Sequence, residues 1–316
     1  MKSIPHFEAV DIRRKVSMKA AIGLMKSAFA ALSDKSVVVP LRTVIESKDG
    51  KGVALFMPSY SSSWNLFGLK MVSVFPGNTK DPVVQGKMLV MDGANGKPLA
   101  LLDAASVTAL RTGAASGLAT DLLANKNASS LAVFGTGAQA WSQVEGILAV
   151  RKIEEIMIKG TSAEKEERFC QQITEVYGVR CKPLENFGLL KKAHIVCTAT
   201  TSFQPLFTLS MLAPGTHINA VGSFKPEMRE IGSDVMCASK LIVDQREAVL
   251  SEAGDVMIPI KEGLLTPERI HAELGELVSK GKQGRSSSKQ ITVFKSVGNA
   301  VQDLAIANYL INGEGK

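Results

Sequence analysis

Cysteine, histidine and aromatic residues are all scarce in this chain, and each scarcity closes off a class of function. Cys170, Cys181, Cys197 and Cys237 are the whole supply of thiols. None forms a C-x-x-C pair or stands near a histidine at metal-ligand spacing, so no metal site is expected. The thiols read as reduced and mostly buried, in a cytoplasmic protein. The four histidines are scattered. His194 lies beside one apolar run and His217 opens another, where a packed, hydrogen-bonded histidine is expected rather than a catalyst. Aromatic residues make up 5% of the chain, and no nucleic-acid motif appears. The net charge of +7 is spread along the sequence. It therefore predicts no nucleic-acid partner, and it suits a protein that handles phosphates and carboxylates. The basic stretch Lys280–Lys289 reads as a solvated loop. No apolar run approaches the roughly 20 residues of a membrane span. Val16 to Leu32 is interrupted by Lys19 and Lys26, and reads as an amphipathic helix stopping at Ser33 and Asp34, not as a signal peptide. No membrane partner is expected.

Against these absences stands one informative stretch, Ser130-Leu-Ala-Val-Phe-Gly-Thr-Gly-Ala-Gln-Ala-Trp141. An apolar run climbs to Gly135, Gly137 follows, and Ala140 closes a G-x-G-x-x-A pattern ahead of a helix-compatible segment. This is the strand, turn and helix start of a dinucleotide site. Gly135 permits the turn, Gly137 lets a pyrophosphate approach the backbone, and Ala140 allows close helix packing. Thr136, Ala138 and Gln139 complete the loop. The N–H groups at the helix start would hold the phosphates.

A length of 316 residues implies two domains. Up to about residue 115 the pattern mixes antiparallel strands with helices. Strands are expected within Ser36–Ile45, carrying Arg42; at Gly52–Met57; and at Leu66–Phe75, carrying Lys70. A Ser- and Tyr-rich loop separates the last two. Val84–Asp92 and Pro98–Asp103 read as a hairpin, and Ala104–Ala124 as a helix carrying Arg111. From Ser130 strands and helices alternate, which implies a parallel sheet with helices on both faces. The helix from Asn299 to Ile311 is expected to return to the first domain. The fold predicted is α/β: a doubly wound parallel sheet of Rossmann type (residues 116–298) inserted in a smaller α+β domain (1–115 with 299–316).

The end of the second strand of such a sheet selects between NAD and NADP. Here it is followed by Lys159-Gly-Thr-Ser162, with no acid at that point. Lys159 and the hydroxyls of Thr161 and Ser162 suit a 2′-phosphate. NADPH is therefore the preferred cofactor expected, with NADH also possible.

Val39-Pro-Leu-Arg-Thr-Val, Phe56-Met-Pro-Ser-Tyr, Ala109-Leu-Arg-Thr-Gly-Ala-Ala-Ser, Gly135-Thr-Gly-Ala-Gln, Ile218-Asn-Ala-Val-Gly, Ser251-Glu-Ala-Gly-Asp and Val293-Phe-Lys-Ser-Val-Gly, in this order, resemble the ornithine cyclodeaminase/mu-crystallin family over nearly the whole chain. The family comprises cyclodeaminases, an archaeal-type alanine dehydrogenase, ketimine reductases and Δ1-pyrroline-2-carboxylate reductases. The resemblance implies a homodimer. It implies too that Arg42, Lys70 and Arg111 clamp a substrate carboxylate, and cations in such apolar surroundings need an anion. Lys70 beside two guanidiniums would have a lowered pKa and could exchange a proton with the substrate. Thr112, following Arg111 at a helix start, is expected to bind phosphate. Ser296 and Gly298 resemble family positions near the nicotinamide, and Val221 is expected to bind the cofactor.

Two departures steer the reading. Phe224 stands where cyclodeaminases carry an aspartate, and Leu55 where they often carry a glutamate. With no carboxylate expected near the clamp, deamination is disfavoured, and Phe224 would cap the ring pocket. The activity expected is reduction of small cyclic imino acids: Δ1-pyrroline-2-carboxylate to proline, and Δ1-piperideine-2-carboxylate to pipecolate. The alternatives are a cyclodeaminase or amino-acid dehydrogenase of the same family, and a crystallin-like binder of NADPH without turnover.

Overall fold

The structure is a computed structural model that describes residues 4–313. In chain order its first elements are β1 (His6–Phe7), α1 (Ala9–Lys15), α2 (Met18–Ser33), β2 (Val37–Val38), β3 (Thr43–Glu46), β4 (Val53–Ser61), β5 (Leu66–Val74), β6 (Val84–Asp92), β7 (Pro98–Asp103) and α3 (Ala104–Leu123). Next come β8 (Ser130–Phe134), α4 (Ala138–Leu148), β9 (Glu155–Lys159), α5 (Ala163–Tyr177), β10 (Arg180–Pro183), β11 (Ile195–Thr198), β12 (His217–Ala220) and α6 (Ser233–Ala238). The last are β13 (Lys240–Val243), α7 (Arg246–Glu252), α8 (Gly254–Lys261), β14 (Ile270–Glu273), α9 (Leu274–Ser279), β15 (Thr292–Lys295) and α10 (Ala300–Asn312). None of these helices is long and apolar enough to cross a membrane. The chain divides into two compact units, one holding the chain up to Arg111 and from Asn299 onward, the other Thr112–Gly298.

The first unit is built on a seven-stranded sheet ordered β1-β7-β6-β5-β4-β2, with β3 also pairing β4. β4 to β7 form an antiparallel meander, and β1 joins β7 in parallel. Side chains alternate along β5 with period two. Leu66, Gly68, Lys70 and Val72 point inward, while Phe67, Leu69 and Met71 are exposed on the outer face. α10 packs on α2 and on β4 and β5. It is buried almost all round, as its alanine-rich apolar sequence requires. Two details differ from the sequence pattern. The run Ser36–Ile45 is not one strand. Pro40 offers no N–H to a ladder and splits it into β2 and β3, so Arg42 lies on the connection between them. The Ser- and Tyr-rich stretch is not all loop. β4 continues to Ser61, because Ser59 and Ser61 turn inward and Tyr60 stacks on Phe67 at 4.5 Å between ring centroids.

The second unit carries an eight-stranded, wholly parallel sheet ordered β10-β9-β8-β11-β12-β15-β13-β14. Its inner strands are buried along their length, as a sheet covered on both faces demands, and the polar side chains they carry, such as His217, Asn219 and Thr292, find partners inside the protein. Ala132, Phe134, Ile218 and Val293 pack into one core; Leu131, Val133, Ile156 and Ile195 pack into another. The edge strands β10 and β14 escape the sequence pattern because they are polar. β10 is held to β9 partly by charge, with Lys182 Nζ 2.9 Å from Glu155. His217 is fully buried between Thr292 (2.9 Å) and Asn219 (3.3 Å), and burial pushes its pKa down to about 3. His194 lies against Ser130. The four cysteines are free, Cys170 and Cys197 buried and Cys181 and Cys237 half-buried. The basic stretch from Lys280 is a loop, but Arg285 in it is half-buried and tied to the protein. It bonds to the carbonyl of Leu123 (2.6 Å), to the carbonyl of Gln290, and to Thr292 (3.1 Å).

Candidate active site

In the first unit, β5 carries Lys70 to the inner face of the sheet, where it is 1% exposed. Its Nζ lies 2.7 Å from Asp303 Oδ2 and donates to Thr108 Oγ1 at 3.2 Å. Arg111, buried on α3, places Nε 3.3 Å from Asp303 Oδ1 and donates from Nη1 to Gln302 Oε1 at 2.9 Å. Burial pushes the Lys70 ammonium down to about 7. Asp303 opposes the shift, while Arg111 and, more weakly, Arg42 add to it. Arg42 itself is half-buried. The fold thus joins Lys70 to Arg111 and brings Arg42 within electrostatic reach of Lys70.

The expectation of no carboxylate near these cations fails. Asp303, fully buried on α10, touches two of them. The signal was available: Gln302 and Asp303 are the polar pair in the run Ala300-Val-Gln-Asp-Leu-Ala-Ile-Ala. An acid in a helix that apolar must be buried against a cation. Leu55, by contrast, is an ordinary core residue of β4 at 7% exposure.

In the second unit, β8 ends at Phe134 and Gly135 turns the chain with φ +116°. Its N–H donates to the Lys159 carbonyl at 2.7 Å, and a Cβ there would come within 2.6 Å of the Ala199 carbonyl oxygen. Only glycine fits both the angle and the space. Thr136 follows, half-buried. Gly137 caps α4 without any side-chain bond, and a Cβ built on it would meet nothing within 4 Å. Ala138 and Gln139 open the helix, and the buried Oε1 of Gln139 has no hydrogen-bond partner among the described residues. Uncapped N–H groups beside open space fit the phosphates of a dinucleotide. Thr112 is a correction: it stands in the interior of α3, not at a helix start, so its backbone N–H belongs to the helical ladder.

The strand end at Lys159 also departs from expectation. Lys159 Nζ lies 3.0 Å from Glu166 Oε1, and the Gly160 N–H donates to the same oxygen at 2.9 Å. An acid therefore does reach this point, brought back from the first turn of α5. A reading of consecutive residues could not see it. Thr161 is exposed, and Ser162 caps α5 by accepting from the Lys165 N–H at 3.4 Å.

The remaining residues border a buried polar scaffold. Val221 donates its N–H to the Thr198 carbonyl at 3.0 Å. Ser296 Oγ and the N–H groups of Val297 and Gly298 all donate to Asp244 Oδ2, at 2.8, 2.9 and 2.8 Å; Gly298 has φ +84°. Glu230, fully buried, accepts from Thr198, Thr200, Gly222 and Ser223. Burial, and then Asp255, raises its pKa. Asp255 accepts the N–H groups of Glu230 and Ile231, and pairs with Lys295 at 2.9 Å. This network fixes the loop that carries Phe224, which is half-buried.

Comparison with known proteins sets these two sites in a family. The model of the ornithine cyclodeaminase/mu-crystallin family matches residues 6–313. A Δ1-pyrroline-2-carboxylate reductase of Bacillus cereus is 40% identical over 306 residues, covering 96% of this chain and 94% of that protein. The structure of the Thermococcus litoralis Δ1-pyrroline-2-carboxylate reductase, in complex with NADH and L-proline, matches with a TM-score of 0.93 and 37% identity, covering 99% of both chains. That of an archaeal alanine dehydrogenase dimer with bound NAD matches at 0.91 and 29% identity, covering 98% of this chain and 95% of that one. With a buried cationic cluster on one unit, a glycine turn on the other and likeness along its whole length, this chain is a member of the ornithine cyclodeaminase/mu-crystallin family.

Proposed function

We propose that the chain reduces small cyclic imino acids with a nicotinamide dinucleotide, Δ1-pyrroline-2-carboxylate first and Δ1-piperideine-2-carboxylate second. The observation that carries this reading is Lys70: a buried ammonium, joined through Asp303 to Arg111 and acted on by Arg42, that holds its proton loosely near neutrality. Arg111, Lys70 and Arg42 grip the substrate carboxylate, the planar fork of arginine suiting it best. The bound dinucleotide supplies the hydride that goes to the imine carbon. Lys70 supplies the proton that nitrogen needs, directly or through water, and is left neutral, a state its surroundings tolerate. Asp303 holds Lys70 charged until then. It is itself engaged by two cations, which supports a charge-balancing role over that of a deamination base.

On the second unit, Gly135, Thr136, Gly137, Ala138 and Gln139 would hold the pyrophosphate. Val221, Ser296 and Gly298 belong to the nicotinamide half. Phe224 would cap the substrate ring. Lys159, Thr161 and Ser162 support use of NADPH; Glu166 beside Lys159 supports use of NADH as well. The free thiols suit the cytoplasm.

The purified protein, given NADPH and Δ1-pyrroline-2-carboxylate, is expected to consume absorbance at 1:1 stoichiometry with proline formed. Ammonia release from ornithine, with no such turnover, would overturn the reading.

A homodimer is part of the proposal. Phe67, Leu69, Met71, Val44 and Ile45 on the first unit's sheet are between 42% and 55% exposed, an apolar surface that a second copy would cover. Light scattering should give twice the chain mass, and Phe67→Glu with Leu69→Glu should halve it. A wild-type monomer at micromolar concentration would sink this part.

A further inference from the structure

We infer that Glu166, reaching back from α5, is the residue that sets the choice between NADH and NADPH. The inference rests on reading the second unit as a dinucleotide site and goes beyond it by naming the discriminating group. The glycine turn and the end of β9 are one construction. Gly135 N–H bonds the Lys159 carbonyl at 2.7 Å, and a Cβ on Gly160 would lie 2.9 Å from Thr136 Cγ2. In sheets of this kind the strand end adjoining the turn reads the adenosine ribose: an acid there accepts the 2′-hydroxyl, and a cation there accommodates a 2′-phosphate.

Lys159-Gly-Thr-Ser162 offers a cation and hydroxyls but no acid. The tertiary structure supplies the acid. Glu166 is 5% exposed, whereas the Lys159 side chain keeps 35% of its surface. The Gly160 N–H pins the Glu166 carboxylate, so it does not follow Lys159 when that side chain swings outward. Three effects follow. The carboxylate neutralises the cation that would attract a 2′-phosphate. Its own charge repels that phosphate. Its remaining acceptor sites suit a ribose hydroxyl. NADH therefore binds with the Lys159–Glu166 pair intact, while NADPH must draw Lys159 away from it.

The test is titration of the wild type and two variants with NADH and NADPH, by calorimetry and without any imino acid. Glu166→Gln keeps an acceptor for the Gly160 N–H and removes the charge. It is expected to shift the Kd ratio about tenfold or more toward NADPH. Lys159→Met is expected to shift it by a similar factor toward NADH, through weaker NADPH binding. A ratio within twofold of wild type in Glu166→Gln overturns the inference. Should that variant fail to fold, an unchanged ratio in Lys159→Met does the same. Wild type that binds neither dinucleotide sinks the dinucleotide reading itself, a failure distinguishable from a ratio that does not move.

Discussion

The first unit buries Lys70 on β5 and the second buries Lys295 on β15, each no more than 1% exposed. Each pairs with a buried aspartate from another element: Asp303 at 2.7 Å for Lys70, Asp255 at 2.9 Å for Lys295. Their company differs. Lys295 donates to the Ser223 carbonyl at 2.6 Å, and its aspartate also takes two backbone N–H groups. Lys70 instead faces Arg111 and Arg42, and its ammonium is pushed down to about 7. The Lys295 arrangement uses charge to tie loops together. The Lys70 arrangement keeps a proton that can leave. Burial of a lysine does not by itself mark chemistry; the sign of its neighbours does.

The comparison breaks first on stability. Lys295→Met leaves Asp255 buried without its cation and should cost about 3–5 kcal/mol. Urea unfolding followed by Trp141 fluorescence, in a Trp64→Phe background, would read it on the second unit. Lys70→Met leaves Asp303 with Arg111. It should cost clearly less stability while cutting kcat/KM for the imino acid by about 10³-fold. Equal stability losses for the two would mean that the lysines play the same part.

Arg111→Ala comes next. Loss of two charge-assisted contacts should lower kcat/KM by about 10²-fold or more, with dinucleotide Kd nearly unchanged. A matching loss of dinucleotide affinity would show that the clamp had been misassigned.

The pH profile sharpens the contrast further. Lys70 carries its proton below about 7, so kcat/KM should be flat there and fall about tenfold per pH unit above it. The sign for stability is opposite. The folded value lies below the ordinary 10.5, so between about 7 and 10.5 the unfolded chain binds the extra proton. Lys70 therefore makes stability rise with pH across that window.

Asp303→Asn tests the shared anion through the direction in which the pH profile moves. Without the anion the activity break moves to lower pH. A profile that moves upward would refute the charge-balancing role of Asp303.

Much of the first unit was legible from strand-like runs bounded by turn residues, Pro76-Gly77-Asn78 after β5 and Gly93–Lys97 between β6 and β7, and the helical run Ala104–Leu123 was marked by its alanines. The glycine turn was legible because φ +116° at Gly135 and a backbone oxygen 2.6 Å from the missing Cβ leave one residue type possible. Arg42, Lys70 and Arg111 stood out as cations in apolar segments. Asp303 stood out in its own apolar helix, but its pairing with them did not, because it lies 233 positions after Lys70 and no local pattern links the two. Glu166 was hidden for a similar reason on a shorter scale: a turn of α5 carries it back to a strand end that has no acid of its own.

By itself the sequence determined which stretches form strands and helices, the residue that had to be glycine at the turn, and which cations were out of place in apolar surroundings. These are properties of a residue and its near neighbours, set by sterics and by the cost of burying charge. Which anion meets each cation was decided only by the tertiary structure. Coulomb attraction depends on distance in space, and folding brings Asp303 to Lys70, Asp255 to Lys295 and Glu166 to Lys159.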